Sequence, residues 1–197
     1  MKIKVLGTEI YISFLFCAVL CIMLLFDRTG LVIPTLFAVF IHETGHLFAM
    51  WVTDCQPRAI RLIPTSVQIV RDFSCKKGGE ITIAICGPAA NLVLFLTLII
   101  NYLVFKSEQS LSFAILNLVL AIFNLLPLLG FDGGVILTEG ISRFTDIYKA
   151  ESIVRIVTVI FAFFAFVVGV YLWIYVKLNI SVFIVVVYLV VCVLVKK

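Results

Sequence analysis

Two histidines and a glutamate stand inside an apolar part of the sequence, residues 31–52. His42 and His46 are four residues apart. On a helix they would share one face with their Cβ atoms about 5–6 Å apart, so both imidazoles could bind one metal ion. Glu43 would lie about 100° further round that helix, beside the ion, where it could act as a base toward a water molecule. This H-E-x-x-H pattern is typical of zinc hydrolases.

Two further observations favour a metal site over a chance match to this short pattern. The chain contains only two histidines, and both belong to the motif. A carboxylate near the middle of an apolar span costs at least about 2.5 kcal/mol, so an ionisable residue there indicates a functional site. The sequence therefore predicts that His42 and His46 bind one Zn²⁺ ion per chain.

The composition indicates an integral membrane protein. Of the 197 residues, 63% are hydrophobic and 13% are charged, whereas soluble domains are about 45–50% apolar. Six apolar runs of about 20 residues are long enough to cross a bilayer core of about 30 Å as helices. They predict an all-α fold with six transmembrane helices, over residues 10–26, 31–52, 81–105, 111–129, 153–176 and 178–195.

The positive charges follow this topology and do not form one basic patch, which argues against nucleic acid as a partner. With the N-terminus inside, 12 of the 15 Lys and Arg residues fall in inside segments, and Arg28, Lys106 and Lys177 fall outside. By the positive-inside rule both termini lie in the cytoplasm, so we expect a multi-pass protein of a bacterial-type cytoplasmic membrane. Because the cytoplasm is reducing, the six cysteines are expected to be free thiols.

Residues 53–80, between the second and third predicted helices, form the longest polar segment. Apolar and polar residues alternate on both sides of Pro64 and Thr65, which predicts a short cytoplasmic β-hairpin-like insertion. Two interpretations stay open. The segment is either an amphipathic loop on the membrane surface or a strand whose free edge pairs with an extended substrate close to the histidines.

The third predicted helix opens with small residues between Cys86 and Ala90. Small residues let helices approach closely in lipid, so this stretch predicts tight helix packing. Asn91 follows it, and we expect its side chain to hydrogen-bond to a neighbouring helix without a catalytic role.

A second informative stretch, from Asn124 to Gly134, should interrupt the fourth helix. Pro127 removes a backbone donor, and the glycines of the stretch permit non-helical angles. Irregular backbone at membrane depth is tolerated only where it is buried in protein or lines a wet cavity. Asp132 could therefore supply the third protein ligand that catalytic zinc sites commonly have. The alternative is an interfacial aspartate that caps the next helix; the ligand role is favoured because the chain has no third histidine.

These two motifs resemble those of the site-2 protease family of intramembrane zinc metalloproteases. The segment from His42 to His46 is similar to the first family motif, and the segment from Asn124 to Gly134 is similar to the second. The chain looks most like the branch that contains stage IV sporulation protein FB, a protease that cleaves an inactive sigma-factor precursor. This branch adds sporulation and regulated intramembrane proteolysis to the expectations.

The resemblance implies a role for each residue of the site. His42, His46 and Asp132 would bind the zinc ion, and Glu43 would be the catalytic base. Asn124 would lie in the active site, where it would orient the substrate or stabilise the oxyanion.

We expect a single transmembrane metalloprotease domain over residues 1–197, without a CBS or PDZ domain, which departs from the members of the family that carry one. It would cleave a membrane-embedded or membrane-associated protein, such as a sigma-factor precursor, and a membrane inhibitor or gating partner could control access. Two other classes of function fit parts of the pattern. A divalent-metal transporter would need more polar residues along several helices, and a catalytically inactive membrane scaffold would not need Glu43.

Overall fold

The computed structural model describes residues 2–5, 8–28, 30–55, 57–63, 66–71 and 79–175. The described residues divide between two compact units, Met1–Asn124 and Leu125–Lys197. The elements in chain order are β1 (Lys2–Val5), β2 (Thr8–Ile12), α1 (Phe14–Leu25), α2 (Val32–Val52), β3 (Pro57–Ile63), β4 (Ser66–Arg71), α3 (Gly79–Phe105), α4 (Glu108–Asn124), α5 (Asp132–Ser142) and α6 (Ile147–Tyr175).

Three of the described helices are long and apolar enough to cross a membrane, over Val32–Val52, Gly79–Phe105 and Ile147–Tyr171. They correspond to the second, third and fifth predicted spans. The apolar helices α1 and α4 contain 12 and 17 residues, which reach only about 18 Å and about 26 Å at 1.5 Å per residue. The sixth predicted span, residues 178–195, lies outside the described residues. Six transmembrane helices therefore stay a prediction.

The first helix begins later than the hydropathy predicted. Residues 10–12 belong to β2, which pairs antiparallel with β1 and parallel with β3, and α1 starts only at Phe14. The helix predicted from residue 10 is wrong over this part. The physical reason is local: Thr8, Ile10, Tyr11 and Ile12 are β-branched or aromatic residues, which favour a pleated strand.

The four strands form one sheet in the order β1-β2-β3-β4. The helices α1 and α2 connect β2 to β3. Parallel strands need a long connection of this kind, because the chain must return to the end of the sheet at which the first strand began. β3 and β4 pair antiparallel on either side of residues 64–65, where the sequence predicted a turn. Among the described strands, β1 and β4 are the outer ones.

In the first unit, α3 packs against both α2 and α4. Small residues are buried on all three helices: Ala38 and Ala49 on α2, Ala84 on α3, and Ala114 and Ala121 on α4. Small side chains let helix backbones approach closely where lipid gives no hydrophobic drive between helices. This close approach brings the polar side chains of the three helices within hydrogen-bonding distance of one another.

The cysteines follow the prediction only in part. Cys17, Cys21 and Cys86 are free thiols, but Cys55 is disulfide-bonded. The prediction of a free thiol at Cys55 is therefore wrong. Cys55 lies three residues after the end of α2 and is buried in the core of the first unit. Since disulfides persist mainly in oxidising compartments, this bond stands against the cytoplasmic placement that the charges predict for residues 53–80.

The second unit contains α5, α6 and the residues that lead into them. The predicted interruption is confirmed, because α4 ends at Asn124 and the next helix begins at Asp132. Gly130 has a φ of +95°, which only glycine adopts readily. The N–H of Leu129 donates to the Thr158 hydroxyl at 3.0 Å, and that hydroxyl donates to the Val154 carbonyl at 2.7 Å. The loop is thereby attached to α6.

The two glycines after Asp132 are required by close packing. A Cβ at Gly133 would overlap the Leu125 carbonyl, and a Cβ at Gly134 would overlap the Leu128 carbonyl. The loop thus folds back onto the first turn of α5. Any larger side chain would push the loop away and move Asp132, which opens that turn.

Candidate metal centre

His42 and His46 lie one turn apart on α2 and are both buried, with 5% and 8% of their surface exposed. Their rings meet edge to face, with centroids 4.7 Å apart. The Nε2 atom of one lies 3.1 Å from the Nε2 atom of the other. Glu43, the next residue after His42, is half-buried. The two rings therefore converge on one point, as the helical spacing predicted.

The start of α3 supplies the floor of this site. A Cβ at Gly87 would overlap the His46 ring and would lie 3.0 Å from Cε1 of His42. On the other helix, a Cβ at Gly45 would overlap the Cys86 carbonyl. The packing role predicted for the small residues of α3 is confirmed, and Gly87 has the additional task of leaving room for the imidazoles.

Both histidines use Nδ1 for hydrogen bonds, which leaves Nε2 for the site. Nδ1 of His46 lies 2.8 Å from the Ile83 carbonyl, which can only accept, so this nitrogen carries the hydrogen. Nδ1 of His42 lies 2.9 Å from Oδ1 of Asn91. Nδ2 of Asn91 donates to two oxygen atoms, one of them the Ala38 carbonyl at 3.0 Å. The network therefore assigns Oδ1 of Asn91 as an acceptor and Nδ1 of His42 as a donor.

With hydrogens on both Nδ1 atoms, the two Nε2 atoms face each other across 3.1 Å. A metal cation bound by both nitrogens would make this buried contact favourable, as would a proton on one of them. Two nitrogens that bind one tetrahedral zinc ion at 2.0–2.1 Å lie about 3.3 Å apart. The observed separation fits that requirement, and an Nδ1 hydrogen bond is what metal-binding histidines almost always make.

Asp132 belongs to the second unit, where it is half-buried at the first position of α5. The cap position is Phe131, which makes no side-chain cap. Asp132 stands one residue inside the helix, where a carboxylate favours the helix dipole; its role as metal ligand or as cap stays a prediction. In the first unit, His42 and His46 make a pair of nitrogen donors that could hold a metal ion.

Asn124 is the last residue of α4 and is half-buried. Its side-chain amide donates to the Leu120 carbonyl one turn earlier, at 3.0 Å. This bond steadies the side chain at the point where the helix ends. Its role in an active site stays a prediction.

Comparison with known proteins bears directly on the second of the two motifs. Residues 106–168 match the family model of peptidase family M50, and this region contains Asn124 and Asp132. Zinc metalloprotease MJ0392 of Methanocaldococcus jannaschii is 28% identical over 162 residues, which are 77% of this chain and 48% of that protein. The two proteins are homologous. The chain spans about half the length of this curated relative.

The fold is shared with a solved structure. The site-2 protease from Methanocaldococcus jannaschii superposes with a TM-score of 0.71 at 23% sequence identity, covering 98% of this chain and 93% of that one. The chain therefore has the site-2 protease fold. Assignment to the branch of stage IV sporulation protein FB stays a prediction.

Sequence reasoning missed one part of the site. It expected Asn91 to bond to a neighbouring helix, and it does so, but nothing in the spacing indicated that the partner is His42. That contact depends on how α3 is placed along α2, and the placement follows from Gly45 and Gly87 meeting the opposite helix. A glycine four residues before a buried asparagine is the signal that could have suggested it.

We expect Gly87→Ala to lower zinc affinity by about 10- to 100-fold, the range found when support around a metal ligand is lost. The added methyl group would overlap the His46 ring and displace the imidazole from α3. Gly140→Ala is the matched control, because a Cβ there meets nothing within 4 Å. Zinc titration against a chelator is the measurement. Equal affinity in the two variants would contradict the assigned packing of Gly87 on the ligand.

Proposed function

We propose that this protein is an intramembrane zinc metalloendopeptidase that hydrolyses peptide bonds in or next to the membrane segment of a protein substrate. The observation that carries the proposal is the buried pair of Nε2 atoms 3.1 Å apart on α2, with Glu43 adjacent in the same helix. Support comes from homology to a zinc metalloprotease, the match to peptidase family M50 and the site-2 protease fold.

One Zn²⁺ ion would be held by His42, His46 and Asp132. The histidine nitrogens suit zinc, and a carboxylate completes the three-ligand set typical of catalytic zinc sites with one open position. When bound, the ion polarises the scissile carbonyl and makes a water molecule more acidic.

Glu43 carries the proton in this mechanism. Glu43 accepts a proton from the attacking water as the water oxygen bonds to the carbonyl carbon of the peptide. Glu43 then gives that proton to the amine nitrogen as the carbon–nitrogen bond breaks. Asn124 would orient the substrate or stabilise the oxyanion. The substrate segment must be extended, because a helix keeps its carbonyls in its own hydrogen bonds.

The charge distribution supports a multi-pass protein with both termini in the cytoplasm, whereas the disulfide at Cys55 is untypical of that compartment. The substrate class that the family resemblance supports is a membrane-tethered regulator such as a sigma-factor precursor, with a membrane inhibitor or gating partner controlling access. The transporter alternative receives no support from the described polar residues: Asn91, Asn117 and Thr158 are buried and hydrogen-bonded within the helices.

Glu43→Gln and Asp132→Ala should separate the base from the ligand. Glu43→Gln keeps the side-chain shape but cannot accept a proton at neutral pH, so zinc content should stay at one ion per chain while hydrolysis falls by about 10²-fold or more. Asp132→Ala removes a ligand, so both zinc affinity and hydrolysis should fall. Metal analysis beside cleavage of a membrane-tethered substrate measures both effects.

Each rival function gives a different outcome in that experiment. Normal cleavage by Glu43→Gln would show that the protease mechanism is wrong. Zinc transport into vesicles without cleavage would identify a transporter, and full function of Glu43→Gln in cells would identify a scaffold. Zinc held as tightly by Asp132→Ala as by wild type would move the search for a third ligand to Asn124.

We also assign substrate recognition to the outer edge of β4. Among the described strands, β4 pairs only with β3, and we propose that an extended segment pairs along its other edge. Pairing along an exposed edge uses main-chain hydrogen bonds and therefore accepts varied sequences. It would also keep the scissile segment extended, as hydrolysis requires.

Proline substitutions at Val67, Gln68 and Ile69 test this edge, because successive N–H groups of a strand point to opposite sides. Proline at a position whose N–H points outward should slow cleavage about fivefold, since one hydrogen bond is worth about 1 kcal/mol. Zinc content should not change. Alanine at the same positions keeps the N–H and is the control. Unchanged turnover in all three proline variants would show that the segment is only a membrane-surface loop.

A further inference from the structure

A chain of hydrogen bonds runs from a backbone carbonyl of α4 to His42 on α2. Nδ2 of Asn117 donates to the Phe113 carbonyl at 2.8 Å, and Nδ2 of Asn91 donates to Oδ1 of Asn117 at 2.8 Å. Oδ1 of Asn91 then lies 2.9 Å from Nδ1 of His42. Both asparagines are fully buried, with 0% of their surface exposed. No step of the proposed hydrolysis uses either of them.

The donors and acceptors in this series of hydrogen bonds can be assigned in one way only. The Phe113 carbonyl cannot donate, so it holds the amide nitrogen of Asn117 and turns Oδ1 of Asn117 toward α3. That oxygen and the Ala38 carbonyl take the N–H groups of Asn91. Asn91 therefore presents its oxygen to His42, and His42 donates from Nδ1. Backbone carbonyls of α2 and α4 thus fix the hydrogen-bond direction of two side chains and one imidazole.

We infer that Asn91 is a positioning residue for the metal ligand His42, and that Asn117 holds Asn91 in the required orientation. This inference rests on the proposed function. A rotated Asn91 amide would present its nitrogen to Nδ1, favour the tautomer with hydrogen on Nε2, and so remove the lone pair from the site. His46 needs no positioning side chain, because its Nδ1 hydrogen-bonds to the backbone carbonyl of Ile83.

A packing role alone does not account for the pair. A buried amide pays a desolvation penalty that its hydrogen bonds only offset, and replacing both partners by apolar groups of the same shape can be nearly neutral. Leucine has nearly the shape of asparagine and would fill the same space between α3 and α4. Polar residues among apolar helices instead indicate function. Here the series of hydrogen bonds ends on His42, a proposed metal ligand.

Four purified full-length variants test the inference: Asn91→Leu, Asn91→Asp, Asn117→Leu and the control Asn101→Leu. Asn101 lies on the same helix and is exposed, and its Oδ1 accepts from the Ser110 hydroxyl at 2.8 Å, away from the histidines. The measurements are the zinc dissociation constant from chelator competition, the absorption spectrum of the Co²⁺-loaded protein, and the Tm of the metal-free protein.

Asn91→Leu removes the acceptor of His42, so its zinc affinity should fall by about 10- to 100-fold with a changed Co²⁺ spectrum. Asn91→Asp keeps an acceptor for Nδ1 and should bind zinc within about threefold of wild type. Its Tm should nevertheless fall, because its carboxylate faces the Ala38 carbonyl and Oδ1 of Asn117. Asn117→Leu should lower zinc affinity by a smaller factor than Asn91→Leu, and Asn101→Leu should not change it.

If Asn91 had a purely structural role, zinc affinity would follow Tm in every variant. A loss of zinc affinity in Asn91→Asp as large as that in Asn91→Leu would therefore overturn the inference. Zinc affinity equal to wild type in Asn91→Leu would also overturn it and would leave the proposed function standing. If Asn91→Leu does not fold, Asn117→Leu decides, since unchanged affinity there contradicts the locking role. A wild-type protein without bound zinc would instead contradict the proposed function itself.

Discussion

The rest of this structure depends on one contact, the approach of two imidazole nitrogens to 3.1 Å in a buried place. Two imidazole nitrogens stay at that distance only if their rings are held, and a metal cation bound by both would stabilise the contact. The rings are held because Gly45 and Gly87 let α2 and α3 touch. That contact places the Ile83 carbonyl and Oδ1 of Asn91 against the outer nitrogens of the rings. Helix packing therefore sets the chemistry of the ligands.

The second unit places the carboxylate of Asp132 in the first turn of α5, directly after a stretch of irregular backbone. The loop before α5 forms hydrogen bonds to α6 through Thr158 and folds against the two glycines that follow Asp132. The N–H groups of Leu128, Leu129 and Phe131 thus donate to protein oxygens, and a non-helical segment inside a membrane would need such partners. Asp132 is presented from the first turn of a helix, where its position is fixed by backbone geometry.

Short-range features of this protein could be predicted from its sequence, and long-range ones could not. The motif His42 to His46 predicted a shared helix face, and the proline and glycines after Asn124 predicted the end of α4. Hydropathy failed at residues 10–12, because apolar β-branched residues suit a strand as well as a span. The free thiol predicted at Cys55 is wrong because this cysteine is disulfide-bonded, which the composition did not indicate. The Asn91 contact was missed because it depends on how α3 packs against α2.

Zinc-edge X-ray absorption on the purified full-length protein tests the central claim most directly, because it reports the donors around the metal without any substrate. The account predicts one zinc ion per chain with two imidazole nitrogens at about 2.0–2.1 Å and oxygen donors in the remaining positions. Replacement of His42 or His46 by alanine should remove one imidazole from the spectrum. A protein that binds no zinc, or binds it through sulfur at about 2.3 Å without imidazole, would contradict the account.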